Sequence, residues 1–481
     1  METLHIDVAI IGAGSAGLSA RREVELRGKS YVLIERGPLG TTCARVGCMP
    51  SKLLIAAAEA HHAAHDAVTF GIDVPEGVAV NGRAVMKRVR EERDRFVGFV
   101  VRGVEKLPPE RRLEGEARFV GPNTLEVAGR QVVAQSVIIA TGSSPWIPPQ
   151  LEAIRERVEL NDDLFSWDDL PGSVAMIGTG VIALELGQAL HRLGVRVTFF
   201  NPFDALGPMT DPAVIAKMKA VWGEELDLQT GTGLANTPAL EANDDGTVTF
   251  SWVTPEGDTR RETFEKVIAA AGRRPNVEGL ALERAGVELD ARGVPLFDPT
   301  TMQVGDAPIF LAGDVNNERA LLHEASDEGR IAGANAALYP NTLAHQRRAT
   351  LAIAFTDPQL AIVGARHADL EPGSFVIGEV SYDDQGRARV MNKHSGLVRI
   401  YARRCDGVLL GAEMFGPRVE HTAHLLAWAV QQGQTVRALL RMPFYHPVVE
   451  EGIRTALRDA ARALKIEHAP CATGLDCGPG V

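Results

Sequence analysis

Two cysteines five positions apart are the residues of this sequence best suited to redox chemistry. Cys43 and Cys48 stand in the run GTTCARVGCMPSK, which passes into an alanine-rich segment of helical character. Thiols at this spacing near the start of a helix can close a disulfide, and the helix dipole favours a thiolate there. Pro50 fits the first turn of such a helix, because a missing backbone donor costs little at that position. The pair is a candidate redox centre, and two inert buried thiols are the alternative.

Metal binding is a poorer interpretation of the cysteine pair. An iron–sulfur cluster needs further cysteines close by, and a structural zinc ion needs four ligands. The sequence near the pair offers neither set. A separate group, His61, His62 and His65, has helical spacing and could hold a metal, but a solvated helix face explains it better. We therefore expect no metal site.

A glycine-rich loop precedes the cysteine pair and lies between an apolar strand, DVAII, and a helix-compatible run. In such a unit the glycines allow a tight turn, close approach of the backbone to pyrophosphate, and close packing of helix on strand. The helix N-terminus adds amide donors for the phosphates. Glu35 ends the second strand, where it can hold the two ribose hydroxyls. An ordinary strand-to-helix turn is the alternative. The three glycines are Gly12, Gly14 and Gly17.

The same unit recurs later in the chain, where the strand VAMI leads into the loop GTGVIA. Asn201 stands 23 residues after the first glycine of this second unit, as Glu35 does in the first. Two such units imply two dinucleotides, as when a bound flavin meets a nicotinamide. An acid at the Asn201 position would favour NAD, whereas a nearby arginine would favour NADP. Asn201 is neither, and no basic group follows it closely, so we expect NAD without excluding NADP.

These features resemble the flavin disulfide reductases, the class I pyridine nucleotide-disulfide oxidoreductases that include dihydrolipoamide dehydrogenase, glutathione reductase and mercuric reductase. The resemblance extends to about residue 465, and the sequence is most like that of dihydrolipoamide dehydrogenase. Besides the cysteine run, it rests on ATG at 140–142, AGRRPN at 271–276, LAGD at 311–314, FTDP at 355–358 and HPVVEE at 446–451.

The resemblance implies an α/β fold with two dinucleotide-binding, Rossmann-like domains, the NAD domain being inserted in the FAD domain, and a C-terminal α+β dimerisation domain. The expected domains are the first part of the FAD domain (1–165), the NAD(P) domain (166–275), the second part of the FAD domain (276–345), the interface domain (346–468) and a flexible tail with Cys471 and Cys477 (469–481). The resemblance also implies a homodimer whose active sites are shared between subunits.

The resemblance further implies catalytic roles. Cys48 would be the thiol on the flavin side, forming a charge-transfer complex with oxidised FAD, and Cys43 would exchange with the substrate disulfide. His446 would be the acid/base for Cys43 of the other subunit, oriented by Glu451. Histidine suits this task because it titrates near neutrality. A capping or core histidine is the alternative.

Lys52 and Glu185 would pair beside the flavin N5, although Lys52, one helical turn after Cys48, could also be a solvated lysine. Asp314 would bind the ribityl chain. The remaining positions follow from the matched motifs. The expected FAD ligands are Gly12, Gly14, Gly17, Glu35, Thr42, Lys52, Ala117, Gly142, Gly313, Asp314, Leu322 and His323. The expected NAD ligands are Gly178, Gly180, Ala183, Glu185, Asn201 and Gly272.

Three departures from the family pattern bear on the substrate. Dihydrolipoamide dehydrogenases have Leu-Asn where this chain has Ala44-Arg45. Arg45 could lower a thiol pKa, meet an anionic substrate, or be a solvated surface residue. Asn201 is the second departure. The tail cysteines are the third, either incidental thiols or a further redox pair.

The function expected from these motifs is that of a dihydrolipoamide dehydrogenase. It would pass electrons from a dihydrolipoyl dithiol, on a lipoyl-bearing protein or a small molecule, through Cys43–Cys48 and FAD to NAD⁺. The alternatives are an NAD(P)H-dependent reductase of another disulfide or a metal ion, with the tail as a shuttle, and a non-enzymatic redox sensor. A sensor need not keep His446 and Glu451, so an enzyme is favoured.

Composition and charge narrow the classes of protein to which the chain could belong. The chain has 481 residues, of which 45% are hydrophobic, and a formal charge of −12, as in a globular protein of about three domains. The acidic balance argues against nucleic acid as a partner. No apolar run approaches the ~18 to 20 residues of a membrane helix, and the N-terminus lacks signal-peptide features. We therefore expect a cytoplasmic protein without a membrane partner.

Overall fold

The computed structural model describes residues 2–74, 78–231, 238–254 and 257–466, so the predicted tail with Cys471 and Cys477 lies outside the described residues. In this part of the chain no helix is both long and apolar enough to cross a membrane. The α-helices are α1 (Ser15–Leu26), α2 (Thr42–Val46), α3 (Cys48–Asp66), α4 (Gly82–Glu105), α5 (Val181–Arg192), α6 (Pro212–Trp222), α7 (Leu322–Leu338), α8 (Gly386–Val390), α9 (Val419–Gln431), α10 (Val436–Leu440) and α11 (Glu451–Ala463).

The β-strands form two parallel or mixed sheets and several antiparallel ones. They are β1 (Thr3–Ile11), β2 (Tyr31–Glu35), β3 (Arg112–Glu114), β4 (Ala117–Gly121), β5 (Thr124–Val127), β6 (Arg130–Ile139), β7 (Ser143–Pro145), β8 (Val158–Leu160), β9 (Ser173–Ile177), β10 (Arg196–Asn201), β11 (Asp227–Thr230), β12 (Ala239–Ala242), β13 (Val248–Val253), β14 (Thr259–Phe264), β15 (Lys266–Ala269), β16 (Arg273–Pro275), β17 (Ile309–Leu311), β18 (Leu351–Ala354), β19 (Gln359–Gly364), β20 (Phe375–Ser381), β21 (Leu397–Arg403) and β22 (Leu409–Gly416).

The first sheet has the order β3-β2-β1-β6-β5-β4, with β17 beside β6. Strand β1 lies between β2 and β6 and is parallel to both. Its last four residues, Val8 to Ile11, are buried because the sheet is covered on both faces. The glycine loop follows directly, at the carboxyl end of the strands, where open α/β sheets bind ligands.

Helices α1 and α7 pack backbone to backbone on this sheet. A Cβ added at Gly329 would lie 2.2 Å from the carbonyl oxygen of Ala16, and one at Gly333 would lie 2.4 Å from that of Ala20. Only glycine permits this approach. Because α1 begins at the glycine loop, its packing on α7 holds the helix N-terminus in place.

The second parallel sheet has the order β11-β10-β9-β15-β8, and all its pairings are parallel. It carries the second glycine loop between β9 and α5. Strand β8, which pairs with β15 at one edge of this sheet, belongs to the part of the chain that precedes residue 165. Strands β7 and β16 form a two-stranded ribbon. The chain passes through β7 as it leaves the first sheet and through β16 as it returns. An antiparallel sheet of β12, β13 and β14 flanks the second parallel sheet.

The C-terminal part is a five-stranded antiparallel sheet in the order β18-β19-β22-β21-β20. Helix α11 lies on it and buries Ile453, Ala456, Leu457 and Ala460 in its core. The architecture is the predicted α/β fold, with the second nucleotide-binding sheet inserted between two parts of the first. The domain boundaries themselves stay predictions.

The contact between α1 and α7 generates a stability prediction. Gly329→Ala should lower the free energy of unfolding by about 1–3 kcal/mol, the usual cost of overpacking, because its Cβ meets backbone. Gly103→Ala in α4 is the matched control, since nothing lies within 4 Å of its added Cβ. Thermal unfolding of the flavin-loaded proteins measures both. Equal melting temperatures for the two variants would contradict the close packing.

Candidate active site

The first glycine loop has the shape that a pyrophosphate needs. Gly12 has φ of +109°, and an added Cβ would lie 2.3 Å from the carbonyl oxygen of Ala140. At Gly17 an added Cβ would lie 1.9 Å from the carbonyl oxygen of Gly12, so α1 packs directly on its own loop. Nothing lies within 4 Å of a Cβ at Gly14, which leaves open space beside the backbone. The loop therefore presents bare backbone to a ligand, as a dinucleotide site requires.

Glu35 closes this loop from the neighbouring strand. Its Oε2 accepts a hydrogen bond from the Ala13 amide at 2.7 Å, and its Oε1 accepts one from Gly37 at 3.0 Å. A cavity of about 340 Å³ opens here. Its lining includes six of the expected flavin ligands: Gly12, Gly14, Glu35, Thr42, Ala117 and Gly142. Six charged residues that sequence reasoning did not assign to the flavin also line it: Arg36, Arg45, Glu116, Asp162, Arg273 and Glu278.

Asp314 adjoins the cavity without lining it. Its Oδ2 accepts a hydrogen bond from Oγ of Ser143, a lining residue, at 3.0 Å. The preceding Gly313 has φ of +80° and donates its amide hydrogen to Glu328 at 2.7 Å. Glu328 is fully buried and was missed, since its sequence context is that of any helical glutamate. The expected ligands Leu322 and His323 begin α7 and are exposed outside the cavity lining.

The second glycine loop repeats this geometry. Gly178 has φ of +113°, and an added Cβ would lie 2.6 Å from the carbonyl oxygen of Ala270. Gly180 again faces open space, and Ala183 is fully buried where helix meets strand. A larger cavity of about 920 Å³ is lined by Gly178, Gly180, Asn201 and Gly272, four of the six expected NAD ligands.

Asn201 performs locally what Glu35 performs in the first loop. Its Oδ1 accepts from the Phe203 amide at 3.1 Å, as Glu35 accepts from Gly37. Its Nδ2 donates to Oγ1 of Thr179, the residue between the two glycines, at 2.6 Å. The two loops thus share a backbone design, while the second carries a neutral amide in place of a carboxylate.

The two active-site cysteines sit on consecutive helices, and both are free thiols. Cys43 is in the first turn of α2, and Cys48 begins α3. The hydrogen bond that the Cys43 thiol donates to Cys48, together with Lys52, lowers the pKa of Cys48 to about 7, although partial desolvation opposes this. The same hydrogen bond and burial raise the pKa of Cys43. These shifts predict that Cys48 is the more readily ionised thiol of the pair.

Lys52 joins the cysteine helix to the second nucleotide-binding sheet. Its Nζ lies 2.5 Å from Oε2 of Glu185, which is on α5 and almost completely buried. The other oxygen of Glu185 accepts the amide hydrogen of Phe355 at 2.8 Å, and the Phe355 ring lies 4.6 Å from the Lys52 ammonium. This carboxylate thus connects α3, α5 and the chain segment before the C-terminal sheet.

His446 and Glu451 are brought together at the start of α11. Nδ1 of His446 lies 3.0 Å from Oε2 of Glu451. Because a carboxylate only accepts, Nδ1 carries the hydrogen and Nε2 is the nitrogen available for proton transfer. In a single subunit the His446 side chain is 81% exposed. Arg454 also binds Glu451, at 3.2 Å, and holds the carboxylate in place.

Metal-ligand geometry is not found in the part of the chain that the structure describes, where no three His, Cys, Asp or Glu side chains are grouped to hold a metal ion. Two of the clustered histidines have other partners: Nδ1 of His61 lies 2.6 Å from the carbonyl oxygen of Arg192, and His62 lies 3.4 Å from Asp66.

The chain matches a known family along most of its length. Residues 6–329 match the family described as "Pyridine nucleotide-disulphide oxidoreductase", and residues 350–457 match its dimerisation domain. The chain belongs to the pyridine nucleotide-disulphide oxidoreductases, and is an enzyme of the FAD-dependent, dihydrolipoyl dehydrogenase-like kind that uses FAD and NAD(H). The predictions of family, fold class and cofactors are confirmed.

Individual relatives differ in their substrates. Dihydrolipoyl dehydrogenase 2 of Haloarcula marismortui is 30% identical over 94% of this chain and 96% of its own length. A mercuric reductase of Shigella flexneri is 29% identical over 96% of this chain and 82% of its own. The solved structure "Cu(II) complex of HOCl-induced flavoprotein disulfide reductase RclA from Escherichia coli" shares the fold, with a TM-score of 0.78 at 20% identity, covering 95% of this chain and 99% of that one.

The two thiols generate a pH prediction. In Cys43→Ser, which keeps a hydroxyl donor, the long-wavelength band between the Cys48 thiolate and oxidised flavin should appear as pH rises, with a midpoint near 7. Below that pH the thiol is protonated and the band is lost. Adding Lys52→Met should move the midpoint upward by about one unit, because a cation that favours the thiolate is removed.

Absorbance titration of the purified flavoprotein from pH 5 to 10 checks this, with Cys48→Ser as the variant expected to show no band at any pH. A band in Cys48→Ser would reverse the assignment of the thiols, and a midpoint unaffected by Lys52→Met would contradict the role given to Lys52.

Proposed function

We propose that this chain is a dihydrolipoamide dehydrogenase, which oxidises a dihydrolipoyl dithiol and reduces NAD⁺. The observation that carries the proposal is the division between the two thiols, since Cys48 is poised as thiolate beside Lys52 and Cys43 retains its proton. An enzyme that exchanges disulfides at one sulfur and passes electrons on from the other needs this division. Relatives named dihydrolipoyl dehydrogenase match nearly their whole length.

The thiol chemistry follows from the polarity of the pair. In the oxidised enzyme Cys43 and Cys48 share a disulfide bond. A thiolate of the substrate attacks Sγ of Cys43, this S–S bond breaks, and Cys48 leaves as thiolate because its pKa is the lower of the two. The second substrate thiol then attacks the mixed disulfide and releases Cys43, so that the substrate becomes a disulfide and the enzyme a dithiol. FAD, held by the first glycine loop and Glu35, would supply the two-electron chemistry that links this dithiol to NAD⁺.

His446 is proposed as the acid/base for these steps. Nε2 accepts the proton of the attacking substrate thiol and returns one when Cys43 leaves. The hydrogen bond of Nδ1 to Glu451 supports this role, because it orients the ring and stabilises the imidazolium that forms.

The exposure of His446 supports a site shared between two subunits. An acid/base that serves the partner's Cys43 must face outward in its own chain, and His446 is 81% exposed. Its neighbour Tyr445 is 79% exposed. We also propose a cytoplasmic location, because a dithiol enzyme needs a compartment in which thiols stay reduced.

The second candidate is an NAD(P)H-driven reductase of another disulfide or of a metal ion. The similarity to mercuric reductase, at 29% identity, favours it nearly as much as the similarity to dihydrolipoyl dehydrogenases favours the first. The proposed shuttle cysteines, Cys471 and Cys477, lie outside the described residues.

Steady-state rates on a substrate panel test the proposed function. Dihydrolipoamide with NAD⁺ should give the highest kcat/KM of the panel, above about 10⁴ M⁻¹s⁻¹. The panel compares it with dihydrolipoamide and NADP⁺ and, in the reductive direction, with glutathione disulfide, cystine and Hg(II). Cys43→Ser should lose lipoamide turnover yet keep NADH-dependent dye reduction, which does not need the disulfide. If Hg(II) or another disulfide with NADPH is the better substrate, the second candidate replaces the first.

His446→Ala should slow dithiol–disulfide exchange by about 10² to 10⁴ while leaving flavin reduction by NADH unchanged, because only the former needs this proton transfer. Stopped-flow measurement of the two half-reactions separates them. Equal losses in both would make His446 structural.

The shared site adds a sharper test with heterodimers. Cys43→Ser and His446→Ala homodimers should each be nearly inactive. A doubly tagged heterodimer should recover roughly half of wild-type turnover, because one of its two shared sites is intact. No recovery would mean that each chain supplies its own histidine.

A further inference from the structure

Arg45, two residues after Cys43, has its side chain in the flavin cavity. It lines the cavity together with the first glycine loop, Asp162 and Arg273. Its stem runs over Gly40, where an added Cβ would lie 3.1 Å from Cγ and 3.2 Å from Cδ of Arg45. Gly40 has φ of +121°, a conformation that favours glycine, and an added Cβ would also lie 2.8 Å from Cγ1 of Val97.

The guanidinium of Arg45 is incompletely satisfied by the chain. Its Nε is buried and has no hydrogen-bond partner among the residues that the structure describes. Within the same part of the chain, no carboxylate forms an ion pair with Arg45. A buried donor without an acceptor is costly, so such groups in native proteins commonly bind a ligand or water.

Five of the other charged groups that line the cavity have partners in the chain: Glu35, Arg36, Glu116, Asp162 and Arg273. Glu35 accepts the two loop amides described above, and Arg36 pairs with Glu116 at 3.3 Å. Arg273 donates to the carbonyl and hydroxyl oxygens of Ser143 and lies 3.9 Å from Asp162. Burial raises the pKa of the Asp162 carboxyl, and the positive charges of Arg273 and Arg45 oppose that shift.

The segment before Arg45 is held in an unusual backbone conformation. Thr41 has φ of +61° and ψ of +149°, a region that β-branched residues rarely adopt. The first turn of α2 maintains it, because Oγ1 of Thr41 accepts from the Ala44 amide at 3.3 Å and its carbonyl accepts from Arg45 at 3.1 Å. The direction of Arg45 is therefore set by a rigid turn.

We infer that Arg45 is a cofactor-binding residue whose guanidinium binds the pyrophosphate of FAD. The glycine loop supplies neutral amide donors, and a pyrophosphate brings two negative charges that a fork of guanidinium donors fits well. Arg45 thereby ties the helix that carries Cys43 to the phosphate end of the cofactor. This role differs from the substrate-binding and thiol-activating roles considered for Arg45 from sequence; the cation that favours the Cys48 thiolate is Lys52. The inference rests on FAD binding alone and holds for either candidate function.

The test is FAD affinity measured on apoprotein, by quenching of flavin fluorescence during titration. Arg45→Met should raise the Kd about ten- to a hundredfold, and Arg45→Lys should restore part of the loss, since it keeps the charge. Arg112→Met is the matched control, because Arg112 also has a buried Nε without a partner but lies on β3 outside the cavity lining. Its Kd should stay within about threefold of wild type.

Salt dependence gives a second readout. Raising KCl from 50 to 500 mM should weaken FAD binding by wild type more than by Arg45→Met, because the charged contact is screened. If Arg45→Met apoprotein does not fold, flavin loss from Arg45→Lys and Arg45→Gln during gel filtration replaces the titration, with Gln the more affected. An unchanged Kd in Arg45→Met, or an altered KM for an anionic disulfide with unchanged FAD affinity, would overturn the inference.

Discussion

The buried carboxylate of Glu185 is the constraint on which the active site depends. A charge that is almost completely removed from water must be paired and hydrogen-bonded, or the fold loses several kcal/mol. Its two oxygens accept from Lys52 on the cysteine helix and from the Phe355 backbone ahead of the C-terminal sheet. Since Glu185 itself is on the helix of the second nucleotide loop, satisfying one charge sets the relative positions of three parts of the chain.

The same helix makes a second set of contacts that support this arrangement. Arg192, the last residue of α5, pairs with Asp357 at 2.9 Å and with Glu225 at 2.6 Å. Lys393 adds a further bond to Asp357, and these cations hold the pKa of the Asp357 carboxyl below its usual value although burial opposes them. The second parallel sheet is thus connected to the C-terminal sheet through charged groups withdrawn from water.

The two nucleotide loops show how one backbone device serves two cofactors. In both, the first glycine turns against a neighbouring strand and the second leaves the backbone open to a ligand. The difference lies in the closing side chain, which is a carboxylate in the first loop and the amide of Asn201 in the second. The two thiols differ in a comparable way: the hydrogen bond from Cys43 and proximity to Lys52 lower the pKa of Cys48, although both residues are the same amino acid.

Much of the fold and of the candidate site could be predicted from the sequence, because these features depend on local rules. The glycine spacing and the strand before it predict each nucleotide unit, and the first unit adds an acid at the end of the next strand. Turns with positive φ and close backbone approach admit few residues other than glycine. The cysteine spacing and the later motif with His446 and Glu451 predict the redox chemistry in the same way. The family and fold class followed from the order of these motifs.

Other features depend on residues distant in sequence, and no local pattern announces them. Glu328 supports the Gly313 turn only because α7 folds back under it. The partners of Glu185 come from positions 133 and 170 residues away. Arg45 could be a surface, substrate or thiol-activating residue until its stem is seen to cross Gly40 into the flavin cavity. The sequence by itself determined which chemistry the chain carries, because that follows from residue type and spacing. The tertiary structure decided which charge meets which partner, because burial and pairing are set by contacts between distant segments.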